Sequence, residues 1–218
     1  MKQAKVIAVA QQKGGAGKTT IAVHLAIAFM QRGVRVALID TDPQASLSAW
    51  HKLREKKYGV GYTGVHFSAV TGWRVAAELS RLRREYEYII IDCPPHTEAD
   101  TKAVIRAADL VLIPMQPSPT DIWATATTID FARKEKIPFY IVMNRVTANS
   151  KLARSFSKEI SPLLKTTLGN RVLFASSLLE GLGVSESSPS SQATLEIRSL
   201  LEEVSELLEA RALKAASV

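Results

Sequence analysis

The run Lys13-Gly14-Gly15-Ala16-Gly17-Lys18-Thr19-Thr20 brings together the groups that hold a polyphosphate. Gly14, Gly15 and Gly17, with Ala16 between them, let backbone N–H groups close on an anion. The helical spacing of Ile21, Leu25 and Ala28 adds the positive end of a helix dipole. Lys18 is placed to neutralise terminal phosphates, the Thr19 hydroxyl to ligate magnesium, and Thr20 to reach the next phosphate. The run departs from the strict G-x-x-x-x-G-K-[ST] pattern at Gln12, where the first glycine would stand, and a second lysine, Lys13, follows it.

Two further segments carry carboxylates: Asp40-Thr41-Asp42-Pro43-Gln44 after Ile39, and Asp92-Cys93-Pro94-Pro95 after Ile91. A single Asp after a strand is as often a turn residue as a ligand, but beside a phosphate loop the set is more specific. Magnesium is held by few carboxylates plus phosphates and water, so Thr19 with Asp92 is an adequate pair. Asp42 is the candidate to orient or deprotonate a water, with Asp40 supporting the metal waters.

These groups need strands that deliver them to one edge. Short apolar runs alternate with helical patterns from end to end, the signature of crossover units in a mostly parallel sheet. The expected strands are Val6 to Ala10, Val34 to Ile39, Val65 to Val70, Tyr88 to Asp92, Leu110 to Ile113, Phe139 to Met143 and Val172 to Ala175. The fold class is therefore α/β, a doubly wound, mostly parallel sheet with helices on both faces, forming one P-loop NTPase domain over residues 1–218. Ligands of such sheets bind at the carboxyl ends of the strands, where the segments above converge. The Ser-rich stretch from Ser185 to Ser191 is expected as a loop or helix boundary.

Composition narrows the function classes. One cysteine, Cys93, and dispersed histidines at 24, 51, 66 and 96 give no disulfide, zinc or iron–sulfur spacing, so Cys93 is expected to be a small buried residue. Lys2 and Lys5 lead into a short strand rather than a cleavage site, and no apolar run spans a membrane, so a cytoplasmic location is expected. The net charge of +7 equals that of one segment, residues 133–171, with nine Lys and Arg against Glu135 and Glu159. Such a patch is a footprint for nucleic acid or anionic lipid, with a solvated face as the bland alternative.

Taken in order, Lys13 to Thr20, Asp40 to Gln44 and Asp92 to Pro95 resemble the ParA/MinD superfamily of deviant Walker ATPases, and closely its short ParA-like partition proteins. Pro117 to Asp121 and Asn144-Arg145 fall at positions that suit the resemblance. It implies ATP and Mg2+ as cofactors, slow partner-stimulated hydrolysis, and an ATP-sandwich homodimer in which Lys13 reaches the partner's nucleotide. It also implies Asn144 as the adenine contact, a ParB-like or other cargo adaptor, and nonspecific DNA of the nucleoid as a track. A guanine-reading N-K-x-D element is absent, because Thr147 stands where its carboxylate would be.

Among relatives, only about ten residues precede the loop, so the longer partition proteins' N-terminal DNA-binding domain is not expected. A MinD-like membrane cycler would need a basic amphipathic C-terminal helix. Here Ile197, Leu200, Leu201, Val204, Leu207 and Leu208 share a helix with Glu196, Glu202, Glu203, Glu206 and Glu209, so that helix is expected to pack on the domain's own core. A nucleotide-binding regulator with little turnover is the other alternative; a P-loop synthetase lacks room for a substrate domain. For DNA, Lys151, Arg154 and Lys158 fall on one helical face, joined by Lys165 if the helix passes Pro162, opposite an apolar stripe of Leu152, Phe156, Ile160 and Leu163.

Overall fold

The alternation of strands and helices becomes one seven-stranded sheet in the computed structural model, which describes residues 4–95 and 98–216. Lys2 and His96 lie outside those residues. The strands are β1 (Lys5–Val9), β2 (Val36–Asp40), β3 (His66–Ala69), β4 (Tyr88–Asp92), β5 (Leu110–Met115), β6 (Phe139–Val146) and β7 (Leu163–Gly169). They stand in the order β3-β2-β4-β1-β5-β6-β7 and every neighbouring pair is parallel, so the expected doubly wound class holds.

Parallel neighbours require crossovers, and helices supply them on both faces. One face carries α1 (Lys18–Gln31), α2 (Ser46–Tyr58), α7 (Val172–Leu179), α8 (Val184–Ser187) and α9 (Gln192–Ala216), packed on Ile7, Val9 and Leu38. The other carries α3 (Val75–Leu82), α4 (Glu98–Ala107), α5 (Pro119–Lys134) and α6 (Lys151–Glu159), packed on Val6, Ala8 and Ile39. Burial on both faces explains why β2 and β5 read as unbroken apolar runs rather than alternating ones. Helix α1 is enclosed from Ile21 to Phe29, so the element that follows the phosphate loop cannot shift without disturbing the core.

The last helix packs as expected, with Ile197, Leu200, Leu201, Val204 and Leu208 buried. Its acidic face does more than meet solvent. Glu203 accepts the N–H groups of Lys165 at 2.8 Å and Thr166 at 3.0 Å, and Glu196 accepts that of Gly169 at 3.0 Å. Those donors belong to edge strand β7, and the helix carboxylates cap an edge otherwise open to pairing with another chain.

Three sequence expectations need correction. Val172 to Ala175 is not a strand but the first half of α7, and the seventh strand is Leu163–Gly169. A short apolar run suits a buried strand and a buried helix equally, whereas in 163–169 the inward Leu164 and Leu168 are separated by polar residues that blurred the signal. Nor does α6 pass Pro162: Ile160 is already extended, and Lys165 lies on β7, away from the helical row. Of the proposed apolar stripe, Phe156, Ile160 and Leu163 do pack on the core, but Leu152 is 44% exposed. The Ser-rich stretch is a boundary, holding α8 and the turn into α9.

Candidate active site

Strand register assembles the site. In the parallel ladders Asp92 of β4 stands beside Val9 of β1 and Asp40 of β2, so both carboxylates occupy one row at the carboxyl edge, next to the loop leaving β1. That loop turns into α1 through Gly17, whose φ of 102° lies in the left-handed region that favours glycine. A Cβ there would also collide with Asn144, so Gly17 is fixed twice over.

At the mouth of α1, Thr19 Oγ1 donates to Asp92 Oδ2 at 2.6 Å, while Asp92 Oδ1 is buried with no hydrogen-bond partner. Burial pushes the Asp92 carboxyl up to about 7, with Asp40 and Asp42 adding to the rise and Thr19 and Lys18 opposing it. Burial also lowers the Lys18 ammonium, against the pull of Asp92 and Asp42. An orphaned carboxylate oxygen beside a threonine hydroxyl, under a desolvated lysine, is costly unless a cation and an anion complete it. Among the described residues no group of three or more His, Cys, Asp or Glu gathers to hold a metal, so a cation here must bring ligands of its own. Magnesium with phosphates and water fits that donor set.

The two aspartates of the 40–44 segment divide their work. Asp40 is buried; its Oδ2 accepts the Ser48 N–H at 2.9 Å and hydroxyl at 2.6 Å, and its Oδ1 accepts the Asp42 N–H at 3.1 Å. It holds the start of α2 and the segment bearing Asp42. Asp42 Oδ1 accepts the Gln44 N–H at 2.9 Å, and its side chain faces the phosphate cleft. Cys93 behaves as expected of a small buried residue, its thiol pushed up by burial.

The two lysines of the loop point apart. Lys18 is buried in the cleft, whereas Lys13 forms an ion pair with Asp121 and donates to Thr120 Oγ1 at 3.1 Å, both in the first turn of α5. Burial alone would raise the Asp121 carboxyl, but Lys13, Ser118 and the Gln116 N–H hold it below its ordinary range. Gln11 ties the same corner, donating to Pro114 O at 3.2 Å and Thr125 Oγ1 at 2.7 Å. Asp121 was visible in the sequence only as a member of a family-like run, and its tie to Lys13 carried no local signal.

Asn144 lies inside β6 rather than after it; Nδ2 donates to Ala16 O at 2.8 Å and Oδ1 accepts the Arg145 N–H at 2.9 Å. It braces the phosphate loop against the sheet, and the residue that lines the cleft is Arg145, held at a φ of 52°. The cleft measures about 520 Å³, with Gly14, Gly15, Thr19 and Thr20 at one end and Trp50, Leu53, Leu178 and Leu179 as an apolar wall. That wall was not legible beforehand, because α2 and α7 meet only in the fold.

The basic candidates separate as well. Lys151, Arg154 and Lys158 are exposed on α6, without a carboxylate partner among the described residues, while Lys165 stands apart on β7. The segment's +7 overstates its field, because Arg171 is bound by Glu196 of α9 and Glu203 sits over β7.

An all-parallel sheet with a glycine loop entering a buried helix, a basic side chain in the loop and carboxylates on the adjoining strands defines a P-loop nucleotide-binding domain. The chain belongs to the CobQ/CobB/MinD/ParA nucleotide binding domain family, whose model matches residues 7–184. It is 32% identical over 217 residues to Maintenance of carboxysome distribution protein A of Halothiobacillus neapolitanus, covering 93% of this chain and 97% of that one. Its fold is similar to the ATP complex of a Cyanothece McdA variant, with a TM-score of 0.78 at 21% identity over 94% of this chain and 98% of that one. It is also similar to the septum site-determining protein MinD of Pyrococcus horikoshii complexed with Mg-ADP, with a TM-score of 0.79 at 20% identity over 94% and 97%.

Proposed function

We propose that this chain is an ATP-driven switch that binds Mg-ATP, pairs with a second copy, binds DNA without sequence preference, and hydrolyses ATP slowly until an adaptor stimulates it. The observation that carries the reading is the Thr19 and Asp92 pair, with its unsatisfied Asp92 Oδ1 beneath Lys18. The glycine loop and Lys18 bind the phosphates, and Thr19 with Asp92 holds magnesium, which neutralises charge building on the phosphoryl oxygens. Asp42 orients the attacking water from the segment that Asp40 holds. Lys13 leaves Asp121 to reach the nucleotide of the second copy. Asn144 steadies the loop from below through its bond to Ala16 O, and Arg145 lines the nucleotide cleft.

A relative named for maintaining carboxysome distribution supports a positioning role, with the cargo chosen by a ParB-like or other adaptor. The nucleoid then serves as the track, in the cytoplasm. Among the described residues no helix is long and apolar enough to cross a membrane, and the acidic face of α9 lies partly against β7. Asp42→Ala tests the chemistry: nucleotide affinity should stay within about threefold while single-turnover hydrolysis falls on the order of a hundredfold. Unchanged hydrolysis would move the water-orienting role elsewhere.

A further inference from the structure

The two edges of the sheet are finished differently. At β7 the N–H groups of Lys165, Thr166 and Gly169 are taken by Glu203 and Glu196 of α9. At β3 the Val70 N–H bonds Asp40 O, so His66, Ser68 and Val70 turn their backbone groups toward β2. Strand alternation then turns those of Phe67 and Ala69 outward. Among the described residues neither the N–H nor the C=O of Phe67 or Ala69 has a partner.

Donors and acceptors at strand spacing have a specific complement, another extended chain. Charges and prolines on an edge discourage such pairing, but residues 65–71 hold no Asp, Glu, Lys, Arg or Pro. A groove of about 390 Å³ runs beside them, lined by His51 and Glu55 of α2, by Val65, His66 and Phe67, and by Tyr86. His51 stacks on Phe67 with ring centres 4.3 Å apart, and Tyr86 lies 5.1 Å from His66. Consecutive strand residues point to opposite faces, so the groove straddles the edge with walls from both faces of the sheet. The chain entering β3 exposes Val60 and Tyr62, and the chain leaving it exposes Trp73, apolar surface that an added strand can cover.

Charge selects the kind of strand. Residues 52–84 hold eight Lys and Arg against Glu55 and Glu78, a local net of +6. Glu78 is held by Arg81 and Glu55 lies beside His51, whereas Lys52, Lys56, Lys57 and Arg84 are exposed without a carboxylate partner among the described residues. A segment carrying carboxylates is drawn to this edge, and one carrying cations is repelled.

We propose that the β3 edge takes an extended acidic segment of a partner protein as an eighth strand. The segment pairs with the backbone of Phe67 and Ala69, and its side chains alternate between the His51 and Tyr86 sides of the groove. The site is separate from the nucleotide cleft and does not rest on the function proposed above.

The test adds a synthetic peptide that alternates glutamate with valine to the full chain and follows amide hydrogen exchange by NMR. At saturation exchange should slow about tenfold or more at Phe67 and Ala69, while His66 and Ser68, already paired to β2, change little. The same peptide with a central proline, or with lysine in place of glutamate, should bind about tenfold more weakly. Ala69→Pro removes an outward N–H that the sheet does not use and should weaken the peptide about tenfold. Lys52→Glu with Lys56→Glu should weaken it similarly and flatten its salt dependence. Melting temperature and ATP turnover of these variants should match the parent's. Unchanged exchange at Phe67 and Ala69, or equal binding of the lysine peptide, overturns the proposal. Slowing that appears with protein concentration alone assigns the edge to a second copy, and slowing by duplex DNA but not by the peptide assigns it to nucleic acid; either result overturns the acidic strand.

Discussion

The two halves of the sheet treat charge in opposite ways. From β3 to β1 the charges are drawn inward: Asp40, Asp92 and Lys18 converge at one edge, and Arg54 is buried on α2. Arg54 spans both oxygens of Glu186 at 2.8 Å, donates to Thr63 O at 2.6 Å and Gly181 O at 3.0 Å, and lies over the rings of Trp50 and Tyr58. From β6 to β7 the charges stay outside, and the row on α6 has no carboxylate partner among the described residues. Buried charges must be answered by partners or by ligands, so they mark chemistry and hold the fold; exposed ones cost little and are free to meet another molecule.

The contrast breaks most visibly at Arg54. Arg54→Ala leaves Glu186 and two carbonyls without their donor and should cost about 3–5 kcal/mol, read by denaturant unfolding. A loss below about 1 kcal/mol would mean that the inward half does not depend on answered charge.

His24, on the same side of the sheet, sharpens the point because it is kept neutral. Its Nδ1 accepts the Val184 N–H at 3.1 Å, so Nε2 carries the proton and donates to Phe174 O at 3.1 Å; burial pulls its pKa down to about 4. A pKa lower in the folded state than in the unfolded one gives stability that is complete above the ordinary 6.5 and is lost as pH falls toward 4. The loss should total roughly 3 kcal/mol, and His24→Gln should remove that part of the slope. A parent curve that is flat between these pH values would contradict the buried neutral imidazole.

The outer half should show the smallest effect on folding. Lys151→Ala with Lys158→Ala should change stability by no more than about 0.5 kcal/mol, measured by the same unfolding curves. A larger loss would mean that these lysines hold structure.

The same contrast explains what could be read from the chain. The glycine loop and the carboxylates at 40, 42 and 92 were legible because each lies at or just past the end of a strand, so local order already implied convergence at one edge. The β6 to β7 end was misread because its signals compete: Val172 to Ala175 suits strand or helix by hydrophobicity alone, and the polar residues of 163–169 hid a strand whose backbone is capped by carboxylates about thirty positions away. Lys13 and Asp121 are separated by 108 residues, and only the placement of α5 beside the loop brings them together. The apolar wall of the nucleotide cleft joins α2 to α7 for the same reason.

The central claim is that the loop's two lysines serve different molecules, Lys18 its own nucleotide and Lys13 that of a second copy. Sedimentation velocity with ATP and magnesium, run beside an equilibrium nucleotide titration, tests it most directly on the parent, Lys18→Ala, Lys13→Ala and Asp121→Asn. Lys18→Ala should lose nucleotide affinity on the order of a hundredfold, and Lys13→Ala should bind ATP nearly as the parent does yet remain a monomer. Asp121→Asn, which frees Lys13 from its ion pair, should dimerise at lower protein concentration than the parent. A Lys13→Ala protein that dimerises on ATP like the parent would contradict the account.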